Sequence, residues 1–380
     1  MTDLSAPLSR RSARQEKAAA GRRALHHLPI ARIAFGLLGL IGATVIGTLV
    51  LVDNPQGGRP SATVDINSTV DANPVAGTAG NGAGRPATIT ADPEMIPIPD
   101  APAAAELAAS DPAAILPDLV EETEFGPIPR ISSTGRTPFS TYARSGPDTP
   151  TAADGKPLVA IIVSGLGINA TGTMEAIQKL PEEVTLAFAP YGKGLDRTVA
   201  TARTGGHEIF LEVPLEPFDY PDNDPGPDTL LTGQAPRDNL SKLFHVMSRF
   251  GGYAGVLNNM GARFTASGAD FGPVMEELGA RGLGYLDDGS SNRSLAPQLA
   301  RANRVPFGRV DAMLDANPAR GPILAQLQAL EDKARQSGSA IGIVSALPVS
   351  IEVVTEWARE LADKGIEIVP ASALMEKADG

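Results

Sequence analysis

Between residues 156 and 378, short apolar runs rich in β-branched residues alternate with longer stretches whose apolar positions recur every three or four residues. The runs LVAIIV (158–163), VTLAFA (184–189), EIFLEV (208–213), YAGVL (253–257), LGYLD (283–287), VPFGRV (305–310), AIGIV (340–344) and IEIV (366–369) read as strands. Helical spacing covers 170–180, 195–204, 236–249, 270–281, 318–337 and 350–364, several of them followed by a glycine such as Gly282, Gly338 or Gly365 that can close a helix in the left-handed conformation. Strands separated by helices pair in parallel, and strands that are apolar throughout are covered on both faces. The pattern predicts a parallel α/β domain. A doubly wound sheet and a β/α barrel both satisfy it.

Upstream the pattern changes twice. Residues 33–52, IAFGLLGLIGATVIGTLVLV, carry no charge and as a helix would reach about 30 Å, the thickness of a bilayer core. They follow a basic tail, residues 1–32, that holds Arg10, Arg11, Arg14, Lys17, Arg22, Arg23 and Arg32 against Asp3 and Glu16, and they precede Asp53. That asymmetry predicts a single-pass anchor in a bacterial inner membrane, with the tail in the cytoplasm and the rest in the periplasm. A cleaved signal peptide is the competing reading, but the run is longer than a signal core and no small-x-small cleavage site closely follows it. Residues 53–155 are rich in Pro, Ala, Gly, Thr and Asp without a period of 2 or 3.6, the composition of a disordered tether, with one short helical stretch at 103–110.

Composition narrows the chemistry. The chain has no cysteine, four histidines, a formal charge of -12 and a pI near 4.9. Disulfides, thiolate metal sites and cysteine nucleophiles are excluded, and binding to nucleic acid is not expected. His26 and His27 lie in the tail, which leaves the domain only His207 and His245. His207, at the start of a strand, suits a structural hydrogen bond, and His245, in a helix near Leu240, Leu243 and Phe244, suits packing.

In a parallel α/β domain the functional face lies beyond the carboxyl ends of the strands. There the sequence places Ser164-Gly165, Pro190-Tyr191, the proline-rich loop 214–231, Asn258-Asn259, Asp287-Asp288, Asp311 and Ser345. Neither serine has a neighbouring His-Asp pair, so a hydrolase triad is not expected. The run DNDPGPD (222–228) lacks the glycine and terminal glutamate of a calcium loop, and VSGLGINATG (163–172) is a poor phosphate fingerprint.

The strand-end series IIVSGLG, GHEIFLEVPLEP, GVLNNMGARFT, YLDDGSS and IGIVSALPVSIE, with the DPGPDTLLT turn, resembles the divergent polysaccharide deacetylase family, relatives of NodB-type carbohydrate esterases. The resemblance covers residues 156–376. It implies a distorted β/α barrel, a divalent metal and an activated water that removes acetyl groups from N- or O-acetylated sugars. Several positions depart from the family pattern. Ser164 and Gly165 stand where a pair of aspartates is usual, Glu212 and Asn259 where histidines are usual, and Val344-Ser345-Ala346 where Gly-His-Pro is usual.

Metal-assisted deacetylation needs a Lewis-acidic ion to acidify a bound water and a carboxylate to take its proton. With the imidazoles gone, no metal ligand set is assigned. An oxygen-only site for a hard ion such as Mg or Ca, built from Glu212, Glu216 and Asp287, stays open. Glu212 and Asp287 are the candidates for proton transfer if hydrolysis is retained. Glu216, Asn258, Asn259, Arg263, Asp288 and Tyr191 are the candidates for ligand binding. The expected function is recognition of a cell-wall or envelope glycan, or of an envelope protein, with little or no catalysis; the alternative is a working metal-dependent deacetylase.

Overall fold

The computed structural model describes residues 113–144 and 155–376. The basic tail, the run 33–52 and the short helical stretch at 103–110 lie outside them. Among the described residues no helix is long and apolar enough to cross a membrane.

Residues 113–144, which composition assigns to the tether, are folded. A hairpin of β1 (Val120–Thr123) and β2 (Gly126–Pro129) is followed by a one-turn helix α1 (Pro138–Tyr142), capped by reciprocal bonds between Thr137 and Ser140. Of its apolar residues, Leu119, Ile128, Phe139 and Tyr142 are buried, whereas Ile115 and Ile131 are exposed. Arg281 fixes the hairpin from outside. It donates to the carbonyl of Pro129 at 2.7 Å, pairs with Glu121 at 2.8 Å and lies over the Phe244 ring.

The main body alternates strand and helix: β3 (Leu158–Leu166), α2 (Ala170–Lys179), β4 (Thr185–Phe188), α3 (Leu195–Thr204), β5 (Ile209–Leu215), α4 (Pro236–Met247), β6 (Gly255–Met260), α5 (Gly268–Ala280), β7 (Gly284–Asp287), α6 (Ala296–Ala302), β8 (Phe307–Arg309), β9 (Ala312–Met313), α7 (Arg320–Ser337), β10 (Ser339–Ser345), α8 (Pro348–Glu360) and β11 (Glu367–Ile368). All the expected strands and helices are present. The additions are α6, β9 and the N-terminal segment.

The strands pair in parallel in the order β8-β7-β6-β5-β4-β3-β10-β9, with β11 beside the start of β3. The last long strand thus lies against the first, a circular order that a doubly wound sheet does not give. The array is an α/β half-barrel. One short run joins its two edges, because Phe307–Arg309 pair with β7 while Ala312–Met313 pair with β10. Between them Val310 N–H donates to the Asp287 carbonyl and Asp311 N–H to the Ile341 carbonyl, both at 2.8 Å.

Side chains on a strand alternate between faces, and the core divides accordingly. On β3, Val159, Ile161 and Val163 face the helical layer, whereas Leu158, Ala160 and Ile162 face the interior with Phe210, Leu257, Leu286, Ile341 and Ile343. Leu119, Phe139 and Tyr142 close the interior cluster. At the same amino end Glu208, fully buried, accepts from Thr185 Oγ1, Ser372 N and Arg144 N at 3.0–3.1 Å, tying the N-terminal and C-terminal segments to the body. One glycine is obligatory for this packing. A Cβ on Gly255 would lie 2.4 Å from the Gly284 carbonyl oxygen, so no larger residue lets β6 and β7 approach as they do.

Candidate functional site

The interior face opens at the carboxyl ends of the strands into a cavity of about 660 Å³. Continuing the alternation past the last apolar residue of each strand gives its floor and walls. Ser164 continues the interior face of β3, Glu212 that of β5, Asn259 that of β6, Asp288 that of β7 and Ser345 that of β10. All five line the cavity. Asp219 and Asn223 of the loop 214–231 add a further wall.

Glu212 is the most buried acid of the group, with 4% of its surface accessible. Gly165, held at φ 75°, donates its N–H to Oε1 of Glu212 at 2.5 Å. Oε2 has no protein partner among the described residues. Burial pushes the Glu212 carboxyl up from 4.5 to about 7, and the single bond from Gly165 only partly opposes this. Burial also raises the Asp288 carboxyl, against bonds from Ser290 and Asn258 that favour its charged form. At the end of β6 the chain turns through two left-handed residues, Met260 (φ 61°) and Gly261 (φ 97°). The turn leaves Met260 exposed on the rim and the Asn259 amide without a protein partner among the described residues.

The remaining candidates have other tasks. Asp287 sits on the outer face of β7, where its carboxylate accepts from Gly289 N–H at 2.8 Å and Ser294 Oγ at 2.6 Å; it braces the loop 289–294 and does not line the cavity. Asn258 is likewise outward. Its Oδ1 accepts from the Tyr285 hydroxyl at 3.1 Å and Asp288 N–H at 3.0 Å, and its Nδ2 donates to the Met260 carbonyl at 2.6 Å. That amide holds the wall together, although the residue borders the cavity. Glu216 lies one residue beyond β5 and is enclosed by its own loop, accepting from Thr232 N–H and hydroxyl on Oε2 and pairing with Arg263 at 3.1 Å on Oε1. Glu216 and Arg263 therefore form a loop clamp outside the cavity. Tyr191 packs under Gly226 of the same loop, its hydroxyl buried without a regular hydrogen bond beside Asp228.

Neither histidine enters the site. The ring nitrogens of His207 face the Val184 and Ile177 carbonyls at 3.0 and 3.3 Å, the structural role its position suggests. His245 contacts Asp228 at 3.2 Å and the Phe125 ring. Asp315 is a supporting neighbour of the cavity wall that strand-end inspection passes over. Its Oδ2 accepts from Ser345 N–H at 2.8 Å and Ser350 Oγ at 2.7 Å, fixing the end of β10, while Oδ1 is buried without a partner. The signal for it is the same Leu-Asp pair that ends β7.

The donor set does not fit a tightly held divalent ion. Of the three carboxylates considered for an oxygen-only site, only Glu212 faces the cavity; Glu216 and Asp287 are committed elsewhere. Among the described residues no three His, Cys, Asp or Glu side chains converge as a metal site would require.

Residues 161–375 match the family described as divergent polysaccharide deacetylase, and the chain belongs to that family. Similar chains include YibQ of Escherichia coli, 23% identical over 218 residues that cover 57% of this chain and 67% of that one. A Haemophilus influenzae protein is 24% identical over 209 residues, 54% of this chain and 72% of its own. A crystal structure from Agrobacterium tumefaciens is similar at 44% identity and a TM-score of 0.62, covering 65% of this chain and 98% of that one.

Proposed function

We propose that the chain is a membrane-anchored, periplasmic glycan-recognition module that keeps the deacetylase scaffold and has little or no hydrolytic activity. One observation carries this reading. At the strand ends, where hydrolysis would need an ion and its ligands, the inward positions hold Ser164, Glu212, Asn259, Asp288 and Ser345, a set suited to hydroxyl and amine hydrogen bonding. The anchor rests on the run 33–52 and its basic flank.

A second reading is favoured by Glu212 alone. A buried carboxylate with a proton affinity near neutrality and one free oxygen is equipped to act as a general base, so a deacetylase with a rebuilt site is the competing function. Full-length protein purified in detergent decides between the two. Bound metal and acetate release from acetylated chitooligosaccharides and peptidoglycan fragments are measured beside glycan binding. Saturable glycan binding without metal or acetate release is the expected result. Stoichiometric metal with acetate release that disappears in Glu212→Gln establishes the deacetylase and overturns the proposal. Absence of glycan binding together with specific capture of an envelope protein overturns both.

A further inference from the structure

Three carboxylates line the cavity, Glu212, Asp219 and Asp288, and among the described residues no Lys, Arg or His lines it. Two other buried acids, Glu331 and Glu208, are fully partnered. Glu331, 1% exposed, meets Trp357, Lys364 and Arg335, and Glu208 accepts three hydrogen bonds. Glu212, like them more than nine-tenths buried, differs in being directed into the cavity by its register on β5 and bonded through Oε1 alone to Gly165; Asp315, which also keeps one oxygen without a partner, does not line the cavity. The Oε2 of Glu212 faces the cavity with no protein donor among the described residues, an acceptor open to a donor supplied by a ligand.

The ligand is further restricted by what the cavity lacks. A uronate or phosphate would meet three acids and, among the described residues, no counter-charge. An acetamido group, being neutral, gains nothing from the charge of the three acids, whereas a cation is attracted by all of them. Around the mouth Ile168, Met260, Met313 and Leu347 are exposed, as is Phe218 between the lining residues Pro217 and Asp219. Apolar side chains so placed suit the C–H faces of a sugar ring, while the Asn259 amide and the Ser345 hydroxyl supply hydrogen bonds to hydroxyls.

We infer that the cavity selects a sugar carrying a free amino group, a de-N-acetylated glycan unit whose ammonium sits on Oε2 of Glu212. The inference rests on the glycan-recognition reading and specifies its ligand. An ammonium donates hydrogen bonds to the unsatisfied oxygen and neutralises a carboxylate that burial otherwise disfavours. Asp219 and Asp288 add to the attraction from the walls. A scaffold whose relatives are named for removing acetyl groups would here read their absence.

The test uses full-length protein in detergent micelles and calorimetric titration with two tetrasaccharides, one of glucosamine and one of N-acetylglucosamine, at low and high salt. The glucosamine tetramer is expected to bind at least tenfold more tightly, with an advantage that shrinks as salt rises. Glu212→Gln, isosteric and still able to accept from Gly165, is expected to remove the preference while thermal unfolding stays cooperative. Should that variant fail to fold, Asp288→Asn and the salt series carry the test, and a preference insensitive to both overturns the inference. Equal or tighter binding of the acetylated tetramer sinks the free-amine inference and leaves glycan recognition standing. Silence of both tetramers sinks both.

Discussion

The N–H of Gly165, at the end of β3, donates to Oε1 of Glu212 at 2.5 Å across the mouth of the half-barrel, over the shorter strand β4 that separates them. The bond fixes the single carboxylate at the centre of the site and leaves its other oxygen facing the cavity. It also explains the sequence departure at that position, since an aspartate side chain on a residue held at φ 75° would be strained and would place a second acid beside Glu212.

Glu212 should impose a recognisable pH dependence on stability. Its carboxyl is raised from 4.5 to about 7 in the folded chain, so the folded state holds the proton more tightly than the unfolded state. The stabilisation is fully present below about pH 4.5 and is lost as pH rises through about 7, amounting to roughly 3 kcal/mol. Glu212→Gln removes that dependence. Its Tm relative to the parent protein is expected to rise between pH 4 and pH 8 by roughly 6–12 °C. A Tm difference that stays constant with pH would show that Glu212 does not titrate in this range.

Asp287 is expected to behave as a structural residue. Asp287→Ala leaves the Gly289 N–H and the Ser294 hydroxyl without their acceptor and should destabilise the domain by about 1–3 kcal/mol. Ser294→Ala should cost less, and a double-mutant cycle measured by denaturant unfolding should show coupling of about 0.5 kcal/mol or more. Strict additivity of the two substitutions would contradict the bond.

Residues 113–144 are predicted to be part of the stable unit. A chain starting at residue 156 loses Leu119, Ile128, Phe139 and Tyr142 from the core, the bond from Arg144 N–H to Glu208 and the Arg281 contacts to Pro129 and Glu121. Burial of four large side chains contributes on the order of 6 kcal/mol or more, enough to bring a marginally stable domain to the edge of unfolding. A chain starting at residue 113 should express soluble and melt cooperatively. If the shorter chain melts at the same temperature, the segment is not integral.

Most strands of the main body were legible because they are largely apolar runs that tertiary structure had no reason to override, whereas the two-residue β9 carries no such run. The hairpin was not, since its few apolar residues stand among Pro, Gly and Thr and gain their meaning only from the half-barrel they close. At the site, residue type was legible and direction was not. Asn258 and Asn259, or Asp287 and Asp288, are equivalent by composition, and choosing between them requires knowing which strand face is the interior. Phe210, Leu257 and Leu286 settle that face, and once they are placed the alternation assigns Glu212, Asn259 and Asp288 inward and Asn258 and Asp287 outward. Glu216 shares the parity of Glu212 but lies past the end of β5, where the chain path and the return of Thr232 decide its partner.

The two adjacent asparagines therefore offer a direct test of that alternation. Asn258→Ala removes an acceptor for the Tyr285 hydroxyl and Asp288 N–H and a donor to the Met260 carbonyl, all within the wall. It is expected to lower stability by about 2–4 kcal/mol, read as a fall in the denaturation midpoint at unchanged slope. Asn259→Ala removes an amide that has no protein partner among the described residues and should change stability by no more than about 0.5 kcal/mol. Binding should show the reverse order for Asn259, with affinity for the preferred glycan falling about five- to tenfold, the loss of one or two hydrogen bonds to a neutral ligand. If Asn258→Ala leaves stability unchanged while abolishing binding, the inward and outward faces of β6 have been exchanged and the cavity floor must be redrawn around Asn258.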